Sequence, residues 1–365
     1  MGGRAAEELF MGVLDTGALS DLEQATKRAY AMVTYFGMSD KMKNVSFYDS
    51  TGQNEYGFSK PYSEATAQLI DAEAAKIIDE QYERAKEILL KENYFFINGY
   101  RLIFMNSITD RTFIKGTTFR ELYSLFLFDR YVRNIIFKYL LIIENNLKSV
   151  MSYQLSKNYG YKEKDYLNVN NFTNDKEKRR RVKDIIEKMK RQIRINVSRH
   201  SATMHYSKNY GYIPLWILVK VLSFGIMCEL YTILKDKDKE SVAETFGIDP
   251  NLLEDMLPIL SNYRNLCAHE DIVFDHKTER AIPDTEYHNK LKIFKMDDEY
   301  IYGKNDMFSV IIIFKYLLSK DNFRLMMKEL EYEIDKLDGR IDTIPIQKVL
   351  DYMGFPKNYL EIVEM

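Results

Sequence analysis

Residues 63–91 read SEATAQLIDAEAAKIIDEQYERAKEILLK. Ser63 is placed to cap the first turn, and Ile70, Ala74, Ile77, Ile78, Ala85, Ile88 and Leu89 recur three and four apart. That is the period of a helix with one apolar face. No Gly or Pro interrupts the run. Outward from it the texture continues. Seven Pro and 16 Gly punctuate 365 residues, and no Asn-Gly or Asp-Gly turns recur between alternating runs. The expected fold class is all-α.

Composition narrows the rest. Hydrophobic residues make up 46%, enough for a buried core, which excludes wholesale disorder. Two cysteines, Cys228 and Cys267, exclude a disulfide framework and a Cys-rich zinc site, and they fit a reducing cytosol. A formal net charge of −2 argues against a uniformly basic nucleic-acid binder but leaves room for a local basic patch. The opening MGGRAAEELF has no basic segment followed by an apolar run, so no secretory signal is expected. The most apolar stretches, at 135–143, 213–230 and 308–318, are short or interrupted by Lys138, Lys220 and Lys315. A membrane span needs roughly 20 apolar residues. We expect buried helices, no membrane span and a cytoplasmic protein.

Residues 1–91 carry ten basic and 15 acidic side chains, net −5 against −2 for the chain, which leaves +3 for the remainder. Alanine concentrates in the first part, and Tyr, Phe, Ile, Asn and Lys dominate the second. A domain boundary is therefore expected near residue 91. Before it stand Gly2-Gly3-Arg4-Ala5-Ala6-Glu7-Glu8, Thr16-Gly17-Ala18-Leu19-Ser20-Asp21-Leu22, Ala25-Thr26, Ala31-Met32-Val33-Thr34, Phe36-Gly37-Met38-Ser39 and Tyr62-Ser63-Glu64. This series resembles the C-terminal part of the peptidase domain of FtsH-type ATP-dependent zinc proteases. The resemblance puts the third zinc ligand of that family at Asp21. A zinc peptidase of this kind also needs two His one helical turn apart beside a general-base Glu. His269-Glu270 begins such a motif, but Val273 stands where the second His belongs, and no Gly-rich phosphate loop is present. Residues 1–91 are expected to be a helical remnant of a fused or truncated gene product, with no functional metal, unless another chain supplies the His ligands. It would pack on the second domain or mediate assembly, including docking on a complete FtsH-like protease.

Residues 92–365 contain Asn93-Tyr94-Phe95-Phe96-Ile97-Asn98-Gly99-Tyr100, Phe128-Asp129-Arg130-Tyr131-Val132-Arg133, Ile143-Glu144-Asn145-Asn146-Leu147-Lys148-Ser149, Pro214-Leu215-Trp216, Leu222-Ser223-Phe224-Gly225, Tyr263-Arg264-Asn265-Leu266-Cys267-Ala268-His269 and Met353-Gly354-Phe355-Pro356. The ordered set resembles the Abi family of bacterial abortive-infection proteins, within the wider HEPN class of helical nucleases. The resemblance implies a HEPN-like helical bundle, a catalytic Arg-Asn…His signature at Arg264, Asn265 and His269, and a homodimer whose two motifs face a shared cleft.

Helical geometry gives that signature a physical reading. Met256, Ile259, Leu260, Tyr263, Leu266 and Cys267 fall on one apolar face, while Asn265 and His269, four apart, share the opposite one. RNA carries its own nucleophile in the 2′-OH. A His can take that proton or protonate the leaving 5′-oxygen, and an Arg fork can hold the scissile phosphate. No cofactor is needed. Expected products are a 2′,3′-cyclic phosphate and a 5′-hydroxyl. Glu270-Asp271 depart from the family pattern and would repel phosphate.

Three further features bear on function. Glu144, Asn145 and Lys148 are polar positions amid Leu140, Leu141, Ile142 and Ile143; they face a cleft, or they form a hydrogen-bonded pair that positions helices. Residues 174–200 hold 11 Lys/Arg against four Asp/Glu, including Lys178-Arg179-Arg180-Arg181 and Arg199. This is an RNA track, with Tyr206, Tyr210 and Tyr212 available for stacking, or a solvated helix face. His200 and His205, five apart, are a weak metal pattern, and His276 and His288 carry no spacing signal. The functional expectation is a metal-independent endoribonuclease of abortive-infection type, restrained by a possible antitoxin. The alternatives are a non-catalytic RNA-binding or regulatory module and a partner of an FtsH-like protease.

Overall fold

A computed structural model of the chain describes residues 2–11, 19–47, 62–92, 95–106 and 112–365. Thr16-Gly17-Ala18 and Asn93-Tyr94, which belong to the motifs above, lie outside the described residues. The architecture is all-α. The chain divides into two compact units, Met1–Phe126 and Leu127–Met365, with the division falling inside one continuous helix.

The first unit is built on α1 (Gly2–Met11), α2 (Leu19–Thr34), α3 (Glu64–Glu92) and α4 (Phe95–Tyr100). Ser63 caps α3 as its position demands: its Oγ accepts the Thr66 N–H at 3.2 Å. Both α1 and α2 pack on α3. Ala29, Val33, Met42, Ile70 and Ala74 form the buried seam between α2 and α3, and the alanines let the helix axes approach closely. Glu73 is buried in α3 but not alone; it accepts from Ser39 Oγ at 2.8 Å and pairs with Lys41 at 3.2 Å. Asp21 lies on α2, and its side chain is outside the described set.

The helix shared by the two units is α5 (Phe119–Tyr159). In the second unit its buried apolar residues are Phe128, Val132, Ile135, Ile136, Tyr139, Leu140, Ile143, Leu147, Met151 and Leu155, a three-four rhythm sustained without a helix breaker. There follow α6 (Glu163–Tyr166), α7 (Arg179–Asn196), α8 (Ser201–Tyr210), α9 (Leu215–Val221), α10 (Phe224–Thr232), α11 (Asp236–Glu244), α12 (Pro250–His269) and α13 (Glu286–Lys290). Two-residue strands β1 (Lys295–Met296) and β2 (Glu299–Tyr300) pair antiparallel, Lys295 opposite Tyr300. The chain closes through α14 (Met307–Leu317), α15 (Lys320–Asp338) and α16 (Ile346–Tyr352).

The apolar stretches sort themselves by burial. Every residue of α14 from Met307 to Phe314 is buried, so this helix is the centre of the unit, against α12 on one side and α15 on another. The stretch 213–230 divides into α9 and α10, because Ser223 takes extended backbone and its Oγ accepts the Ile226 N–H at 3.4 Å to start a new helix. Among the described residues no helix is long and apolar enough to cross a membrane.

Gly354 shows how tightly the end of the chain is fitted. Its φ is +79°, and a Cβ there would meet Asp306 Oδ2 at 2.1 Å. The same buried carboxylate caps α14 by accepting the Ser309 N–H at 3.0 Å.

Candidate functional site

The site begins with why α12 stands where it does. Asp249 caps it, accepting the N–H groups of Asn251 and Leu252 at 2.8 and 3.1 Å, and Pro250 occupies the first turn. Leu253, Met256, Leu257, Ile259, Leu260, Tyr263 and Cys267 are buried against α10, α11 and α14. Leu266 is half-buried. That burial orients the helix about its axis, and Asn265 and His269 consequently emerge on the exposed side. The His269 imidazole has no hydrogen-bond partner among the described residues.

Arg264 lies between the two faces, with 30% of its side chain exposed, and reaches α5. Its Nε is 3.4 Å from Glu144 Oε2, while Glu144 Oε1 accepts from Lys148 Nζ at 2.7 Å. Glu144 is buried, so its charge is balanced from two sides, and the guanidinium is held by one nitrogen only. Arg264, Glu144 and Lys148 thus form one connected cluster across α5 and α12. Asn145 does not join it; it is exposed on another face of α5.

The last turn of α12 is held by a device that spacing alone did not reveal. Glu270 ends the helix in a left-handed conformation, φ +59°. Arg133 of α5, buried, donates from Nη1 to the carbonyls of Glu270 and Asp271 at 3.1 and 2.8 Å. Asp129, one turn earlier, accepts the N–H groups of Val273 and Phe274 at 3.2 and 2.7 Å and lies 3.4 Å from Arg133. Both residues belong to the Phe128–Arg133 motif. The clue available in sequence was the charged i, i+4 pair Asp129 and Arg133 set directly beside the apolar positions Phe128 and Val132.

His276 was also silent in the sequence. Its Nε2 is 2.8 Å from Asn262 Oδ1 of α12, its ring meets Tyr263 edge-on at 5.4 Å, and partial burial pushes its pKa down. Both thiols are buried, and burial pushes Cys267 up to about 12 and Cys228 well above the usual thiol range.

The basic run forms α7, whose buried residues are Val182, Ile185, Ile186 and Met189. Lys178 is engaged: Nζ donates to the Thr232 carbonyl at 3.2 Å and pairs with Glu254 at 3.6 Å. Arg180 sits 4.0 Å from Asp184 with both side chains in solvent, a pair worth little. Arg179, Arg181 and Arg199 are exposed and make no ion pair among the described residues. His200 precedes α8, and His205, on that helix, is 3.0 Å from Asn209. Among the described residues no group of three His, Cys, Asp or Glu side chains could hold a metal ion.

Comparison with known proteins divides the chain in the same order. Residues 87–275 match the Abi-like protein family, and residues 1–96 match peptidase family M41. The ATP-dependent zinc metalloprotease FtsH of Parabacteroides distasonis is 67% identical over 89 residues, 24% of this chain and 13% of that protein. The FtsH of Karelsulcia muelleri is 48% identical over 121 residues, 33% and 18% of the two chains, and that of Rhodothermus marinus 53% over 90 residues, 24% and 13%. The chain thus spans less than a fifth of the length of these relatives. The M41 segment contains no histidine, since the five stand at 200, 205, 269, 276 and 288. It does not supply the donor set of a peptidase zinc.

Proposed function

From the premise that this chain belongs to the Abi-like protein family, we propose that residues 92–365 are a HEPN-type endoribonuclease unit whose site is built on Arg264, Asn265 and His269. The observation that carries the reading is the state of Arg264: its Nε is turned to Glu144, and its terminal nitrogens have no hydrogen-bond partner among the described residues. An Arg fixed at one nitrogen and open at two is prepared to bind a phosphate with two parallel hydrogen bonds. Asn265 and His269 stand exposed on the same helix.

In the proposed step, His269 takes the proton of the 2′-OH. The 2′-oxygen attacks phosphorus, the P–O5′ bond breaks, and a second imidazole protonates the departing 5′-oxygen. That imidazole is His269 of a second copy, so the working form is a homodimer in the cytoplasm. Arg264 stabilises the charge that develops on the phosphoryl oxygens. Glu144 and Lys148 act through Arg264, as positioning residues.

The test is induced expression of wild type and His269→Ala in a bacterial host, with the chemistry of new RNA 5′ ends mapped. New 5′-hydroxyl ends and growth arrest that vanish in the variant are the expected outcome. Ends carrying 5′-phosphate, or ends that persist in the variant, would refute this chemistry at this site.

A second reading has its own observation. Glu270 and Asp271 follow His269 directly and are exposed, a poor setting for a phosphodiester. In that reading the protein is a non-catalytic RNA-binding or regulatory module, or residues 1–91 dock it on a complete FtsH-like protease. Growth arrest unchanged in Arg264→Ala/His269→Ala, together with co-purification of such a protease, would favour it.

A further inference from the structure

We propose that a surface strip of aromatic side chains in the second unit, exposed Trp216, Tyr161 and Tyr210 with half-buried Tyr212 and Tyr206, is a binding platform for single-stranded RNA; the choice of ligand rests on the nuclease reading above. The rings form an unbroken series. Trp216 lies 5.6 Å from Tyr161, Tyr161 5.7 Å from Tyr212, Tyr212 6.3 Å from Tyr210, and Tyr210 5.3 Å from Tyr206, measured between centroids. His205 closes the end of the series, 5.7 Å from Tyr206. These rings are tilted against one another by 32 to 56° rather than stacked, so their faces are not used up internally. Tyr161 is 41% exposed, Tyr210 57% and Trp216 42%.

The strip is built from two separate segments that the fold ties together. The Tyr166 hydroxyl donates to the Ile213 carbonyl at 2.8 Å, and Glu163 accepts the Ile213 N–H, which seats the 160–166 turn beside the 211–216 connection. Gly211, at φ +73°, ends α8 and turns the chain so that Tyr210 and Tyr212 both join the strip. Helical spacing of four sets Tyr206 beside Tyr210.

Charge decides the occupant. Lys162 Nζ lies over the Tyr212 ring at 5.1 Å, and Lys164, Lys208 and Lys220 are exposed on the same segments. The acids are turned inward: Glu163 to the Ile213 N–H, and Asp165 against the backbone of Gly160. The neighbouring α7, which packs on α8 and α9, adds exposed Arg191 and Arg194. Protein interfaces deplete lysine around their aromatic anchors. Aromatic faces alternating with cations are the arrangement that grips unpaired bases and their phosphates. A duplex hides its base faces and has nothing to offer such a strip.

The chain has one tryptophan, and it is in the strip, so the platform reports on itself. The experiment titrates full-length His269→Ala protein with a labelled oligouridylate, reading anisotropy and Trp216 emission together. We expect Trp216 to be quenched in step with binding, no quenching by a duplex of equal length, and at least ~10-fold weaker binding for Tyr161→Ala/Tyr210→Ala with an unchanged circular-dichroism melt. Unchanged emission at saturation, undiminished affinity in that variant, or a variant that shifts the oligomeric state instead would overturn the proposal. Wild-type cleavage scores the nuclease reading separately. Quenching without new 5′ ends keeps the platform and removes the nuclease, whereas cleavage with undiminished affinity does the reverse.

Discussion

His288 is the most enclosed of the five histidines, with no solvent exposure. Its Nδ1 accepts the Thr285 N–H at 3.0 Å, so Nε2 carries the proton and donates to the Gly303 carbonyl at 3.0 Å. Protonating Nδ1 would set it against the Thr285 N–H. Burial accordingly holds the pKa below the ordinary 6.5. A depressed folded-state pKa means that the unfolded chain takes up the proton first. Stability is therefore fully present above about pH 6.5 and is lost as pH falls toward the folded value. Asp306 works in the other direction. Burial raises it from 3.8 to about 6, so its contribution grows as pH falls through 6. The two are separated by comparing wild type with His288→Gln in urea at pH 7.5, 6.5 and 5.5. The stability advantage of wild type should shrink below pH 6.5, by up to about 1.4 kcal/mol per pH unit. A constant difference across that range would contradict the neutral buried imidazole. None of this was legible from His288 in sequence, because its partners, Thr285 apart, come from a loop that only the fold brings back.

At the scale of elements, α5 does two jobs with one face. Its apolar residues build the core, and Asp129 and Arg133 hold the segment that ends α12. The pair is buried, so truncating Arg133 takes a buried cation from beside Asp129 and removes the donor to the Glu270 and Asp271 carbonyls. Arg133→Ala should cost about 3–5 kcal/mol in chemical denaturation. The Lys138–Glu329 pair, 2.6 Å long but 53% exposed at the lysine, is the control; Lys138→Ala should cost under about 1 kcal/mol. Equal effects would mean that burial is not what gives the Asp129–Arg133 pair its weight. Periodicity identified α3 and the apolar face of α12 from sequence, since a three-four apolar rhythm is a local property. It did not reveal that 213–230 is two helices, because that break depends on one serine taking extended backbone and capping α10.

At the scale of the whole molecule, the nuclease proposal needs two imidazoles at one phosphate, and each chain offers one in the signature. If the site is shared between copies, Arg264→Ala and His269→Ala proteins should each be inactive alone. Co-refolding wild type with an equal amount of His269→Ala should cut the RNA cleavage of that wild type to about half, since a mixed dimer holds one intact imidazole where the step needs two. Light scattering should then give about twice 43.2 kDa for the active species. Activity in a species of 43.2 kDa, or no loss on mixing with His269→Ala, would remove the composite site.

The sequence by itself determined the helical class, the apolar face of α12 with Asn265 and His269 opposite it, and the two segments that match different families. All of these rest on residues close together along the chain, where helical period or motif order carries the information. Tertiary structure alone decided which charges meet. It joined Arg264 to Glu144 across 120 positions, tied Arg133 to the end of α12, left Asn145 out, and drew two distant stretches into one aromatic strip. The physical reason is that a buried charge or an ordered ring is satisfied by whatever the packed core brings within reach, and local pattern does not encode that neighbour.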